Sequence, residues 1–227
     1  MNQGYIMMNG TQYTSLNAVE DYTFSPWAEQ VALNGTDGFQ FSLKLSSDDS
    51  LFTFAPDLNR NMEFTYKSTN TSYDSVETYM YYLDAACLES SEATANFDIV
   101  IDGISNLTTT LRASAIAAKG HYYGLSADAS YAVPKIVDST GSVIEASAEY
   151  DDTYLGVESY TGVTLISKER LFFNMVLQND DLFQDFGPSK STSKSEYGYF
   201  FPLAYRSREM VWSEAQVEDT FGALIVL

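Results

Sequence analysis

Hydrophobic and polar residues alternate along much of this chain, and this is the pattern of strands with one buried face. Residues 39–45 carry an apolar side chain at every odd position, and residues 62–66 carry one at every even position. Alternation of period two is typical of antiparallel sheets that cover a core on one side. It predicts further strands at residues 5–8, 11–16, 51–54, 97–101, 131–137, 143–146, 163–166, 171–177, 197–201 and 221–227.

Two of the predicted connections have the chemistry of tight turns. Asn9-Gly10 lies between the first two predicted strands, and this dipeptide is a strong short-range signal for a hairpin. Residues 138–141, Asp-Ser-Thr-Gly, join the runs at 131–137 and 143–146 in the same way. We therefore predict a hairpin at each place.

Four short segments have helical signals. Ser25-Pro26 opens the first, which Asn34-Gly35 closes. Asp74 and Glu77 form a capping box before apolar residues spaced along one helical face as far as Cys87, and we interpret this segment as a helix, although its tyrosines would also suit a strand. The other two are residues 111–118 and a single turn capped at 213–216.

These elements predict a mainly β protein, an antiparallel β-sandwich of jelly-roll type with a few short inserted helices. Residues 189–195, rich in serine and lysine, are the only linker-like stretch, and they lie too near the end to separate two domains. We therefore expect a single domain over residues 1–227, with a flexible loop at 189–195 and an apolar strand at 221–227.

Charge and targeting signals bear on the partners and the compartment. The chain has 31 acidic and 12 basic residues, a formal charge of −19, and the basic residues are scattered. Binding to nucleic acid or to anionic lipid is therefore not expected. Residues 1–16 have neither a basic n-region nor a long apolar core, so we expect synthesis in the cytoplasm without a signal peptide and no membrane contact.

Four N-x-[ST] sequons occur, at Asn9, Asn34, Asn70 and Asn106. Glycosylation would require secretion, and the chain is rich in asparagine, serine and threonine. We interpret the sequons as chance matches.

Residues suited to acid–base or nucleophilic catalysis are scarce, since there is one histidine, His121, and one cysteine, Cys87. We interpret His121 as a polar residue of a tyrosine-rich loop and Cys87 as a small buried hydrophobe. Ser191 and Lys194 match the S-x-x-K spacing of serine acyl enzymes but lack its companion motifs. We therefore predict no enzyme.

Metal binding is the chemical alternative that the sequence supports best. Residues 57–63 place oxygen ligands at alternate positions, as a calcium loop does, but Met62 replaces the required glycine and Ser68 the bidentate glutamate. The aspartate pairs at 48–49, 151–152 and 180–181 are interpreted as solvated turns. We predict no metal and no cofactor, while a loop calcium site stays open.

The C-terminal segment is apolar on both faces, so a strand there would have to be covered on both sides. We expect an assembly interface formed by Phe221, Leu224, Ile225, Val226 and Leu227. With the sandwich pattern, this favours a structural subunit of a virus or phage particle (a capsid, capsid-accessory or tail protein of the virion) whose partners are copies of itself and other subunits. The alternative is a lectin-like, carbohydrate-binding sandwich, with a calcium site as one option.

Overall fold

The structure is a computed structural model that describes residues 6–8, 11–13, 34–55, 58, 60–70, 76–88, 103–107, 115–125, 135–177 and 199–221. These residues form ten strands, two α-helices and two 3-10 turns. The strands are β1 (Ile6–Met8), β2 (Thr11–Tyr13), β3 (Ser50–Ala55), β4 (Arg60–Asn70), β5 (Thr78–Leu83), β6 (Ile104–Asn106), β7 (Ala115–Lys119), β8 (Tyr154–Glu158), β9 (Thr164–Leu177) and β10 (Tyr199–Val211). The helices are α1 (Ala148–Asp151) and α2 (Glu214–Phe221), and the 3-10 turns are Ala85–Leu88 and Gly120–Tyr122.

Strand β9 organises the main sheet, which has eight strands in the order β3-β4-β5-β8-β9-β7-β6, with β10 paired to the other edge of β9. Along one edge, β9 pairs first with β8 and then with β7. Along the other edge it pairs with β10 from Ile166 to Leu177. All of these pairs are antiparallel, which confirms the predicted mainly antiparallel β fold.

The sheet is curled. Strands β3 and β10 are five strand spacings apart in the sheet order, which would put them about 24 Å apart if the sheet were flat. Side chains of both strands nevertheless line one cavity. The described strands therefore form a half-barrel, and they do not separate into the two facing sheets of the jelly-roll-like sandwich that the alternation favoured.

Apolar side chains lie on both faces of the curled sheet. Leu171 belongs to the cluster on the concave face, whereas its neighbour Phe172 belongs to a cluster on the convex face, because successive strand residues point to opposite sides. A second convex cluster forms where Val217 and Phe221 of α2 pack on Met80 and other residues of the sheet. Both faces of the sheet are thus covered at its centre.

Several elements predicted from local sequence patterns are present in the structure. Met62 and Phe64 are buried on β4. Strands β1 and β2 pair with Met8 opposite Thr11, the register of a hairpin with a two-residue loop. The predicted turn at 138–141 is present, although its flanks form only a single bridge, Val137 to Val143. At α2, Gln216 Oε1 accepts the N–H of Ser213 at 2.8 Å, as a capping box requires.

Three local predictions are wrong. Residues 39–45 form no strand, because Lys44 has φ +57° and the chain turns there. As a result Phe41 and Leu45 are buried, while Phe39 and Leu43 are 64% and 69% exposed. The helices predicted at 74–87 and 111–118 are replaced, among the described residues, by β5 and β7.

The end of the described chain also differs from the prediction. Phe221 is the last residue of α2 and not the first residue of a strand. Residues 222–227 lie outside the described part, as do the predicted loop at 189–195, the strand at 97–101 and residues 25–33 of the first predicted helix.

Candidate ligand-binding site

The concave face of the curled sheet encloses a cavity of about 380 Å³. Its floor is apolar and comes from four neighbouring strands: Met62 and Phe64 on β4, Leu83 at the end of β5, Leu155 on β8 and Leu171 on β9. These positions are buried because each faces the concave core cluster. A volume of this size falls in the usual range of small-molecule pockets, about 300–1,000 Å³.

One wall of the cavity is charged. Strand β10 contributes Arg206 and Arg208, and β9 contributes Glu169 between them. Arg206 Nη2 lies 2.7 Å from Glu169 Oε1, and Arg208 Nη1 lies 3.8 Å from Glu169 Oε2. Two guanidinium groups therefore share one carboxylate, and the Arg208 side chain is 68% exposed.

The nearby carboxylate of Glu209 is neutralised from the other face of the sheet. Arg170 Nη2 lies 2.7 Å from Glu209 Oε2, and Arg170 also donates to the carbonyl oxygen of Arg208 at 2.8 Å. The β9–β10 wall is therefore locally cationic within a chain whose formal charge is −19.

A segment that we call the strap, residues 36–45, crosses one end of the cavity. Its first residue, Thr36, bridges to Thr53 on β3. At its other end, Lys44 N–H donates to the carbonyl of Tyr160 at 2.8 Å and Leu45 N–H donates to that of Ser159 at 2.7 Å. The strap thus connects the edge of β3 to the turn between β8 and β9, and its residues 37–39 line the cavity.

His121 lies on the convex side, away from the cavity-lining residues. Its Nδ1 is 2.5 Å from Oδ1 of Asp151. This aspartate is fully buried, and its other oxygen, Oδ2, accepts the N–H of Ser147 at 2.9 Å. The ring of His121 stacks between Phe172 and Tyr205, with centroids at 5.6 and 5.5 Å. The described contacts of the His121 ring itself are with Asp151, Phe172 and Tyr205, and none of these is a serine, threonine or cysteine that the histidine could activate.

Cys87 lies in the 3-10 turn at Ala85–Leu88, where its Sγ accepts the N–H of Glu63 at 3.0 Å. Burial raises the pKa of the Cys87 thiol to about 11. Burial also lowers the pKa of the neighbouring Arg60 to about 10, and this side chain donates to the carbonyl of Cys87 at 2.9 Å. The thiol is therefore protonated near neutral pH, which does not suit a nucleophile.

The raised pKa of Cys87 predicts a loss of stability in alkali. The unfolded thiol ionises near its ordinary pKa of 9, whereas the folded thiol stays protonated to about pH 11, so the unfolded state binds fewer protons between these values. We expect the free energy of unfolding to fall by about 2 kcal/mol more in the native chain than in Cys87→Ala from pH 9 to pH 11. Urea unfolding of both proteins at several pH values measures this difference. Parallel curves would contradict it.

The remaining polar motifs differ in their contacts within the fold. The aspartate pair at 151–152 is buried, so its interpretation as a solvated turn is wrong. Asp138 accepts hydrogen bonds from the side chain and the N–H of Thr140 and from the N–H of Ser142, which hold the pKa of its carboxyl below the ordinary value. The calcium-like loop has Arg60 buried at its centre. No group of three or more histidine, cysteine or acidic residues in the described chain could hold a metal ion. Ser191 and Lys194 lie outside the described residues.

Comparison with known proteins identifies the family. The sequence model of the CD36 family matches residues 6–226 of the chain. This chain belongs to the CD36 family. Among curated relatives, it is 25% identical over 197 residues to "Sensory neuron membrane protein 2" of Manduca sexta, an alignment that covers 77% of the chain and 36% of the relative.

Two further relatives carry the same name. The protein of Ostrinia furnacalis is 28% identical over 162 residues, which cover 65% of the chain and 30% of the relative. That of Heliothis virescens is 26% identical over 162 residues, which cover 64% and 29%. The chain thus spans about a third of the length of the curated relatives it matches.

Membership of the CD36 family overturns four predictions. The chain is not a virion, capsid or phage tail subunit, and the lectin-like alternative falls with that hypothesis. The expected partners, namely copies of itself and other subunits without membrane contact, are wrong because the relatives are named as membrane proteins. The expected localisation in the cytoplasm or a virion is wrong for the same reason. No helix in the described ranges has the length and apolar character needed to cross a bilayer.

The site that the structure presents was missed by sequence reasoning. Arg206, Arg208 and Glu169 belong to regular strands, where charges at alternate positions are typical of a solvated face. Of the predicted interface residues, Phe221 is buried against the sheet, and its ring lies 6.4 Å from that of Trp212. Leu224, Ile225, Val226 and Leu227 lie outside the described part, so the interface stays a prediction.

Proposed function

We propose that this chain is the ligand-holding part of a membrane-associated, receptor-type protein without catalytic activity. Its cavity takes an amphiphile that has an apolar chain and an acidic head group. The observation that carries this proposal is the cavity itself, which combines an apolar floor with a wall of two arginines that share one carboxylate. The names of the curated relatives support the membrane association.

The floor favours an apolar chain. Met62, Phe64 and Leu171 present hydrocarbon to the cavity, as do Leu83 and Leu155. Each methylene group that leaves water for such a surface contributes about 0.8 kcal/mol. A flexible hydrocarbon chain therefore gains most of its binding energy here without needing a directional partner.

The wall favours an acidic head group. Arg206 Nη2 forms a close ion pair with Glu169 Oε1, at 2.7 Å. Arg208 Nη1 lies farther from the same carboxylate, 3.8 Å from Oε2, and is therefore the more available of the two guanidinium groups. A guanidinium group presents a planar fork of donors that matches a carboxylate or phosphate, and hydrogen bonds between such ions are about twice as strong as neutral ones. Arg208 is therefore the residue that we assign to the head group.

Titration calorimetry with twelve-carbon ligands tests the proposal. We expect dodecanoate to bind about tenfold more tightly than dodecanol, because only the carboxylate pairs with Arg208. Arg208→Gln should remove this preference while dodecanol binding stays the same. Lys135→Gln is the matched control, since Lys135 is exposed and is not among the residues that line the cavity.

Two results would overturn the proposal. No heat of binding with either ligand would exclude the cavity as an amphiphile site, provided that circular dichroism shows the chain to be folded. An unchanged preference for dodecanoate in Arg208→Gln would exclude the assigned head-group contact.

A further inference from the structure

We infer that Glu169 limits the bound head group to a single negative charge, so that the cavity selects monoanionic amphiphiles over dianionic ones. This selection concerns the cavity described above and therefore rests on the proposed function. It follows from the position of one carboxylate between two guanidinium groups on the β9–β10 wall.

The charges on this wall leave one cation for a ligand. Glu169 and Arg206 form a close ion pair at 2.7 Å, and both side chains are partly buried. The guanidinium group of Arg206 also lies over the ring of Phe173, 5.2 Å from its centroid, which helps to fix its position. Arg208 is the exposed cation, 3.8 Å from the same carboxylate. Two positive charges and one negative charge give the wall a net charge of +1.

The other charged residues of the described lining do not add to this positive charge. The carboxylate of Glu209 pairs with Arg170 at 2.7 Å, and Nζ of Lys168 donates to the carbonyl of Glu149. Asp37, on the strap, adds a second carboxylate to the lining. A second negative charge on the ligand would therefore meet carboxylates and no further cation among the described lining residues.

The net charge of the bound complex favours the monoanion. The cost of removing an ion from water rises with the square of its charge, whereas its attraction to one cation rises only in proportion to the charge. A monoanion on Arg208 neutralises the wall, whereas a dianion leaves an excess negative charge beside Glu169. An anion on this guanidinium would lie within about 7 Å of the Glu169 carboxylate, inside the Debye length of about 8 Å at physiological ionic strength. Salt therefore screens the repulsion only in part.

Two ligands that differ by one charge test the selection. Dodecyl phosphate is a dianion at pH 8, since the second pKa of a phosphate monoester is about 6, whereas dodecyl methyl phosphate keeps a single charge. Titration calorimetry at concentrations below micelle formation measures both affinities. We expect the native chain to bind the methyl ester about threefold more tightly.

Glu169→Gln should reverse this order. Glutamine keeps the length of the side chain and one acceptor oxygen for Arg206, but it removes the negative charge. Both guanidinium groups then face the ligand as cations, so dodecyl phosphate should gain about tenfold in affinity. Glu145→Gln is the matched control, because Glu145 is exposed and is not among the residues that line the cavity. It should keep the preference of the native chain.

Salt supplies a second measurement that needs no variant. In 1 M NaCl the Debye length falls to about 3 Å, so the preference of the native chain for the methyl ester should fall below about twofold. A preference that came from the additional methyl group would not fall with salt.

Two results would overturn the selection by Glu169: tighter binding of dodecyl phosphate by the native chain, or an order of affinities that Glu169→Gln leaves unchanged. Either result leaves the amphiphile site in place, because both ligands still bind. The absence of heat with every twelve-carbon ligand, dodecanol included, would instead exclude the amphiphile site, and the selection with it. The two failures are therefore distinguishable.

Discussion

Replacing Asp152 with alanine is expected to lower the free energy of unfolding by about 3–5 kcal/mol, because the change leaves a buried lysine without its counter-ion. Oδ1 of Asp152 lies 2.7 Å from Nζ of Lys119, and the two side chains are only 2% and 9% exposed. Among the described residues, the one further acceptor for this ammonium group is the carbonyl oxygen of Leu83, at 3.4 Å. Urea unfolding followed by circular dichroism measures the loss.

Two controls separate the buried pair from ordinary surface electrostatics. The double variant Lys119→Met/Asp152→Ala should recover most of the loss, because it removes both charges from the interior. Lys67→Met should cost less than about 1 kcal/mol, since Lys67 lies 3.9 Å from Asp152 and is 56% exposed. If Asp152→Ala were no more costly than Lys67→Met, the buried pair would not be important for stability.

Replacing Gly120 with valine is expected to destabilise the fold by about 3 kcal/mol, the upper end for forcing extra atoms into a packed site. A Cβ at this position would lie 2.7 Å from Oδ1 of Asp151 and 3.1 Å from its Cα. The carboxylate could move away only by losing its contact with His121, which is 2.5 Å long. A thermal unfolding scan, with the environment of His121 followed by NMR, measures both effects.

Gly124 is the matched control for conformational strain without crowding. It has φ +78°, and nothing lies within 4 Å of a Cβ built there. Gly124→Ala should therefore cost only the strain of the left-handed backbone, about 1–2 kcal/mol, and should leave the His121 signal unchanged. Equal losses for the two variants would show that contact with Asp151 does not limit Gly120.

The strands that could be predicted are those in which the local pattern and the position in the sheet agree. On β4, Met62 and Phe64 alternate with polar residues and both face the concave core. The register of Met8 opposite Thr11 follows from the Asn9-Gly10 dipeptide that separates their strands. The cap of α2 at Ser213 also depends only on neighbours in the chain.

The predictions that failed depend on contacts between distant segments. Residues 78–83 have helical spacing after a capping box, but β5 lies between β4 and β8, and the hydrogen bonds of both neighbours impose an extended backbone. Residues 39–45 alternate like a strand, yet the turn at Lys44 brings this segment to Ser159 and Tyr160. The intrinsic preference of a segment for helix or strand contributes less to the free energy of folding than the hydrogen bonds to neighbouring strands and the packing of a shared core.

Membership of the CD36 family, rather than the composition or the fold class, separates the two hypotheses about function. The acidic, aromatic-rich composition is compatible with an assembly subunit and equally with a CD36-family domain, because function depends on specific sites rather than on the overall fold class. The match over residues 6–226 decides between these two hypotheses.

The order of residues alone was enough to predict that the chain is mainly β, with Met62 and Phe64 on one buried face of a strand. Side-chain period and residue type are local properties, and they can be read directly from a sequence. The cavity, and the sharing of Glu169 by Arg206 and Arg208, came only from the tertiary structure. The curl and the strand order bring residues more than 100 positions apart, such as Met62 and Arg208, to the lining of one cavity. The periodicity of side chains along the chain does not specify which distant strands become neighbours, so the cavity could not be predicted from it.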